Sequence, residues 1–174
     1  MNKPRGPRAT PRHHDKMELM YIAVIGSGEN DPKNEKIAYE LGKLIAQKGA
    51  ILICGGLGGV MDAACKGASE AGGTCVGILP GGNRAGSSRY LTVALPTGVG
   101  EARNTIITRS ADVVIAVGGE FGTLSEIAFA LKAQKPVIGI NTWHLFKDKQ
   151  ESKAIARAKD ACEAIDLAIR AVTE

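Results

Sequence analysis

The sequence predicts one α/β domain built as a doubly wound, mainly parallel sheet with helices on both faces. Short β-branched apolar runs alternate with longer stretches whose apolar residues recur at helical spacing, the pattern of strands buried between helices. Nearly every run ends in a glycine turn, which lets a buried strand reverse direction sharply. A chain of 174 residues, 44% hydrophobic with 22 glycines, can bury one sizeable core.

Met20 to Ile25 reads as the first strand and breaks at Gly26-Ser27-Gly28. Asp31-Pro32 marks a helix start, with proline at a position where its missing N–H costs nothing. Ile37, Leu41, Leu44 and Ile45 share one face of that helix, and Lys48-Gly49 closes it. Ile51 to Cys54 forms a second strand that runs into Gly55-Gly56-Leu57-Gly58-Gly59. With four glycines in five residues, backbone amides can approach a ligand closely. The helix from Val60 to Ala71 is rich in alanine and glycine and suits tight packing. Thr74 to Leu79 is a third strand, followed by a loop from Pro80 through Gly82 and Arg84 to Arg89. That loop reads equally as a mobile polar segment or as a cover for an anion.

Leu91 to Leu95 reads as a further strand, and a helical pattern runs from Gly100 through Ala111. Arg103 and Asn104 fall near its start, whereas Arg109 complements the carbonyl end. Spacing alone leaves Arg103 open as an ordinary surface arginine. Val113 to Val117 is a fully apolar strand ending at Gly118-Gly119. It turns through Glu120, Phe121 and Gly122 and re-emerges as a helix from Thr123, with Glu126 in its first turn. Free N–H groups and the helix dipole favour an anion there. Val137 to Ile140 is read as the last parallel strand. Trp143 to Phe146 forms an aromatic cluster covering the core, and Ile155, Cys162, Ile165, Ile169 and Val172 describe a final helix.

The formal charge of +4 sits entirely in residues 1–16, where five basic residues face Asp15 alone. The remaining 17 basic and 17 acidic residues balance. Residues 1–17 are therefore expected to be a basic, disordered tail, and residues 18–174 a neutral domain whose charge argues against nucleic-acid binding. The cysteines Cys54, Cys65, Cys75 and Cys162 lack metal-site spacing and read as small buried thiols, so no metal site is expected. No apolar run is long enough for a membrane span, and no secretory signal stands out. A cytoplasmic setting is the resulting expectation.

In a sheet of this type, ligands bind at the carboxyl ends of strands around the topological switch point. The turns at Gly26–Gly28, Gly55–Gly59, Pro80–Gly82 and Gly118–Gly122 should therefore converge as a phosphate pocket. Neither a GxGxxG dinucleotide fingerprint, a GxxxxGKS/T loop nor a GxSxG elbow is present.

GGLGGVMDAACKGASEAGG resembles the GGGxxGLM phosphate-binding segment of the Rossmann-like Lonely Guy family, once mislabelled lysine decarboxylases. GGEFGTLSE resembles that family's PGGxGTxxE signature, and EARNTIITRSADVVIAVGG its preceding helix and strand. The family's phosphoribohydrolases cleave the N-glycosidic bond of cytokinin nucleoside monophosphates with an arginine and a glutamate, which map onto Arg103 and Glu126. The resemblance implies ligand contacts from Gly26, Ser27, Gly28, Gly55, Gly56, Gly59, Val60, Met61, Pro80 and Gly82. It implies a second set from Arg103, Asn104, Gly118, Gly119, Phe121, Gly122, Thr123 and Glu126, with phosphate on the amides of Gly119, Gly122 and Thr123.

Three positions depart from the hydrolase pattern. Gly118-Gly119-Glu120 replaces Pro-Gly-Gly, Glu101-Ala102 replaces Met-His, and Asn104 replaces lysine. Arg-Asn with a GGxxGTLSE loop is closer to the molybdenum cofactor carrier branch, which binds a pterin phosphate without needing to cleave it. The expected function is thus binding of a phosphorylated nucleotide or pterin, with no required cofactor and with molybdenum cofactor or a nucleoside monophosphate as ligand. A phosphoribohydrolase and a regulatory interaction protein are the alternatives. The family also implies a homo-oligomer, dimer or tetramer.

Overall fold

A computed structural model describes residues 19–174, so the expected basic tail over residues 1–17 lies outside the described residues. The chain runs β1 (Tyr21–Gly26), α1 (Pro32–Gln47), β2 (Ile51–Cys54), α2 (Val60–Glu70), β3 (Thr74–Leu79) and β4 (Val93–Pro96). A 3-10 turn (Gly100–Arg103) leads into α3 (Asn104–Ser110), β5 (Val113–Val117), α4 (Phe121–Lys132) and β6 (Val137–Ile140). A small hairpin, β7 (Phe146–Lys147) and β8 (Gln150–Glu151), precedes β9 (Ile155–Arg157) and α5 (Ala161–Thr173).

Seven parallel strands form one sheet in the order β4-β3-β2-β1-β5-β6-β9. The doubly wound reading therefore holds. Strand order reverses between β1 and β5, which pair from Ile22↔Val113 to Gly26↔Val117, so the turns after both strands open on one crevice. Side chains alternate across the sheet. Ile22, Val24, Val113 and Ile115 pack beneath α1, α2 and α5, while Ala23, Ile25, Val114 and Ala116 pack beneath α3 and α4. All five β5 residues are buried, as expected of a central parallel strand covered on both faces.

Local chemistry sets the helix ends. Asp31 Oδ1 accepts from Asn34 N at 3.2 Å with Pro32 next to it, and Asp160 Oδ1 accepts from Glu163 N at 2.9 Å. The glycine and alanine content of α2 serves a helix contact. A methyl group on Gly42 would overlap the Ala64 carbonyl, and one on Gly67 would overlap the Tyr39 carbonyl, so α1 and α2 cross with their backbones nearly touching.

Several expectations need correction. The strand expected over Leu91 to Leu95 is displaced to Val93–Pro96 and lies at the sheet edge with Val93 and Leu95 exposed. The helix expected from Gly100 begins as a 3-10 turn and becomes α-helical only at Asn104. The helix expected from Thr123 starts at Phe121. β6 is not the last strand, because β9 pairs with it in parallel, so Ile155 belongs to a strand and α5 starts at Ala161. The short β9 lacks a run long enough to separate it from the following helical pattern.

Three cysteines are buried as expected, but Cys162 is exposed. Cys54 Sγ lies 3.3 Å from Cys65 Sγ, and Cys75 Sγ donates to the Cys65 carbonyl at 3.6 Å. Hydrogen bonds with Cys54 and Cys75, together with burial, push the Cys65 thiol far up. Of the aromatic cluster, Trp143 and Leu145 do pack on the core, whereas Phe146 is exposed. Among the described residues no helix is long and apolar enough to cross a membrane.

Gly67→Ala tests the helix crossing. The gain in helix propensity is about 1 kcal/mol, whereas forcing a methyl into backbone costs about 1–3 kcal/mol or more. The variant should therefore melt several degrees below the native protein in a thermal scan. An equal or higher melting temperature would show that the helices separate at no cost.

A ligand-sized cleft at the switch point

A cleft of about 380 Å³ opens at the carboxyl ends of the central strands. Gly26, Ser27 and Gly28 form one wall, and Leu57, Met61 and Pro80 the next. Arg103, Asn104 and Glu101 come from the 3-10 turn and α3, facing Glu120, Gly122, Thr123 and Glu126 at the start of α4. Its size falls in the range of small-molecule sites, roughly 300–1,000 Å³.

Arg103 is only 8% exposed. Its Nη1 lies 3.6 Å from Glu126 Oε1, and its Nε is buried with no hydrogen-bond partner among the described residues. The guanidinium rests on the second glycine loop. A Cβ on Gly55 would stand 2.5 Å from Nη1 and 2.6 Å from Met61 Sδ, so only glycine leaves the arginine its place. Burial raises the Glu126 carboxyl against the opposing pull of Arg103, to about 8. The pair thus places a nearly buried guanidinium beside a carboxyl group on the lining of the cleft.

The N-terminus of α4 adds further donors. Its first chain-internal bond is Leu124 N to Glu120 O at 3.0 Å, which leaves the N–H groups of Phe121, Gly122 and Thr123 without intrahelical partners. Asn104 Nδ2 donates to Ser125 Oγ at 3.1 Å, and Ser125 Oγ donates to the Gly122 carbonyl at 2.7 Å, tying α3 to this first turn. Gly118 and Gly119 make the turn itself. Both have positive φ, 57° and 109°, and added methyls would meet Asn34 and Thr123.

Ten of the expected ligand residues line the cleft: Gly26, Ser27, Gly28, Met61, Pro80, Arg103, Asn104, Gly122, Thr123 and Glu126. The others stand behind or beside it. Gly55 supports Arg103, Gly56 N donates to Cys54 Sγ at 3.3 Å, and Gly118 N donates to Ile140 O at 2.9 Å. Val60 is fully buried and its N–H bonds the Ser27 carbonyl at 3.0 Å, while Gly59 lies against the same Ser27 turn, so these two join the first two loops. Gly119 sits under Thr123, Gly82 is exposed on the loop after β3, and Phe121 is 75% exposed beside Trp143. Glu29, Leu57, Glu101 and Glu120 line the cleft without having been named as ligand residues. Three of them are charged turn residues with no periodicity to mark them; Glu101 and Glu120 carried a signal, as departures from the family pattern.

A family model described as the SLOG cluster4 family matches residues 19–165. A protein of Archaeoglobus fulgidus is 46% identical over 142 residues, 78% of this chain and 93% of that protein. Among solved structures, the molybdenum cofactor binding protein of the phototrophic bacterium Rippkaea orientalis superposes with a TM-score of 0.82 at 41% identity, covering 90% of this chain and 99% of that one. The molybdenum cofactor carrier protein of Chlamydomonas reinhardtii gives 0.76 at 35% identity over 90% and 99%.

The raised Glu126 carboxyl makes stability depend on pH. The folded state holds this proton more tightly than the unfolded chain, so its contribution is complete below about 4.5 and is lost as pH rises through about 8. Urea midpoints across this range should fall for the native protein relative to Glu126→Gln, by on the order of 1 kcal/mol per pH unit at most, and run parallel above it. Parallel curves throughout would mean that Glu126 is ionised in the folded protein.

Proposed function

The chain belongs to the SLOG cluster4 family, and from that premise we propose that it binds a phosphorylated pterin, with molybdenum cofactor as its cargo, or a phosphorylated nucleotide. The observation that carries this reading is Arg103: a buried guanidinium with an unpartnered Nε, seated on a glycine loop and lining the cleft alongside the α4 amides. The phosphate would take the Gly122 and Thr123 amides and the Thr123 hydroxyl, with Arg103 supplying charge. Likeness to the two molybdenum cofactor proteins supports the pterin form.

The same Arg103 and Glu126 favour one second reading, hydrolysis of nucleoside 5'-monophosphates. In that reading Glu126 would serve as an acid or as the stabiliser of a developing oxocarbenium charge, with Arg103 holding the phosphate.

Calorimetric titration of the purified protein with 6-hydroxymethylpterin monophosphate and with nucleoside monophosphates tests the binding reading. Arg103→Ala should weaken whichever ligand binds by about tenfold or more. Failure of the native protein to bind any of them would refute the proposal. Release of free base and ribose 5-phosphate during the incubation, abolished by Glu126→Ala, would establish the enzyme instead.

A homo-oligomer belongs to the same proposal, because Ile106 on α3 and Phe129 on α4 are large apolar side chains left exposed. Light scattering should give at least twice the 18.2 kDa chain mass; a monomer at micromolar concentration would remove this part.

A further inference from the structure

The cleft that offers Arg103 to an anion is also ringed with acid. Glu29, Glu101 and Glu120 are exposed residues on its lining, and among the described residues Arg103 is the only basic one there. A ligand consisting of phosphate and an inert body would be repelled at the mouth of the site that holds it. The acid therefore needs a partner on the ligand.

Among the described residues no group of three or more His, Cys, Asp or Glu side chains is placed to hold a metal ion. N–H donors on the ligand are counterparts from which carboxylates accept directly. Glu101 and Glu120 make no salt bridge or side-chain hydrogen bond among the described residues, so both are free to accept. Glu120 occupies the position before α4 but does not cap it. Its carbonyl is held by Trp143 Nε1 at 3.3 Å, and the neighbouring Phe121 ring lies 5.6 Å from the Trp143 ring, 75% exposed. The backbone of the turn is thus braced from outside by Trp143 and Phe121, while Glu120 lines the cleft.

Resting on the phosphate-binding reading above, we propose that Glu120, with Glu101, selects ligands whose ring presents an N–H and an amino group side by side, the 2-amino-4-oxopyrimidine edge common to guanine and pterins. A carboxylate accepts from two parallel donors at once. Adenine offers an acceptor beside its amino group, and hypoxanthine offers the ring N–H without the amino group. Neither can occupy both carboxylate oxygens.

Equilibrium binding of GMP, IMP, AMP, 6-hydroxymethylpterin monophosphate and ribose 5-phosphate tests this at one fixed salt concentration. GMP and the pterin phosphate should bind about tenfold or more tighter than IMP and AMP. In Glu120→Gln the preference should fall to within about threefold, with Glu101→Gln showing a smaller loss and ribose 5-phosphate held at least as tightly as before, since a repelling charge is gone. The tighter of GMP and the pterin phosphate identifies which source of this edge the cleft favours. Equal affinity for GMP, IMP and AMP while ribose 5-phosphate still binds would overturn the inference and leave the phosphate reading standing. So would a preference that survives both substitutions. Failure of every one of these phosphates to bind would overturn the phosphate reading and the inference together.

Discussion

The site depends on an arginine that is nearly buried with one of its nitrogens left without a partner. Sequestering a guanidinium costs free energy unless its charge and its N–H groups are answered, and here Glu126 stands 3.6 Å from Nη1 while Nε meets no acceptor among the described residues. Several features of the chain are explained by the need to hold Arg103 in that state. Gly55 leaves room beneath it, Met61 Sδ lies against the same glycine, and the Asn104–Ser125 bond fixes the helix it precedes against α4. A buried cation with an unpartnered Nε is stable enough to persist in a folded protein, yet gains further when an anion arrives.

The parallel sheet makes this arrangement possible. Because order reverses between β1 and β5, loops distant in sequence meet without crossing, and helix N-termini point toward the same crevice. Direct bonds between loops then lock the geometry. Val60 N–H to the Ser27 carbonyl joins the first and second loops, and Ser88 N–H to the Gly56 carbonyl, at 2.9 Å, brings the loop after β3 over the second. The glycines serve two purposes that composition alone does not separate. Some open the backbone toward the cleft, and others, such as Gly42 and Gly67, let α1 and α2 approach.

Much of this was legible in the sequence. Apolar runs and glycine turns specify the central strands, since strands buried on both faces need no alternation to be recognised. Family motifs single out Arg103 and Glu126, which periodicity could not have distinguished from surface residues. Less was legible at the periphery. β9 is three residues long and merges with a helical pattern, and β4 is an edge strand with half-exposed side chains. Glu29 and Glu101 belong to turns, where side-chain direction follows from tertiary contacts rather than spacing. Val60 shows the opposite error: a motif position whose side chain is core and whose amide is already bonded.

The edge strand β9 reaches further into the site than its length suggests. Arg157, at its end, donates to the carbonyls of Thr142 and Trp143 at 3.3 and 2.7 Å, and Trp143 in turn holds the Glu120 carbonyl. A relay of backbone acceptors thus runs from the rim of the sheet to the acidic lip of the cleft. The hairpin between them joins the relay through Glu151, whose Oε1 lies 3.7 Å from Arg157 Nη2. A substitution at position 157 can consequently reach the turn that carries Glu120 through Trp143 alone.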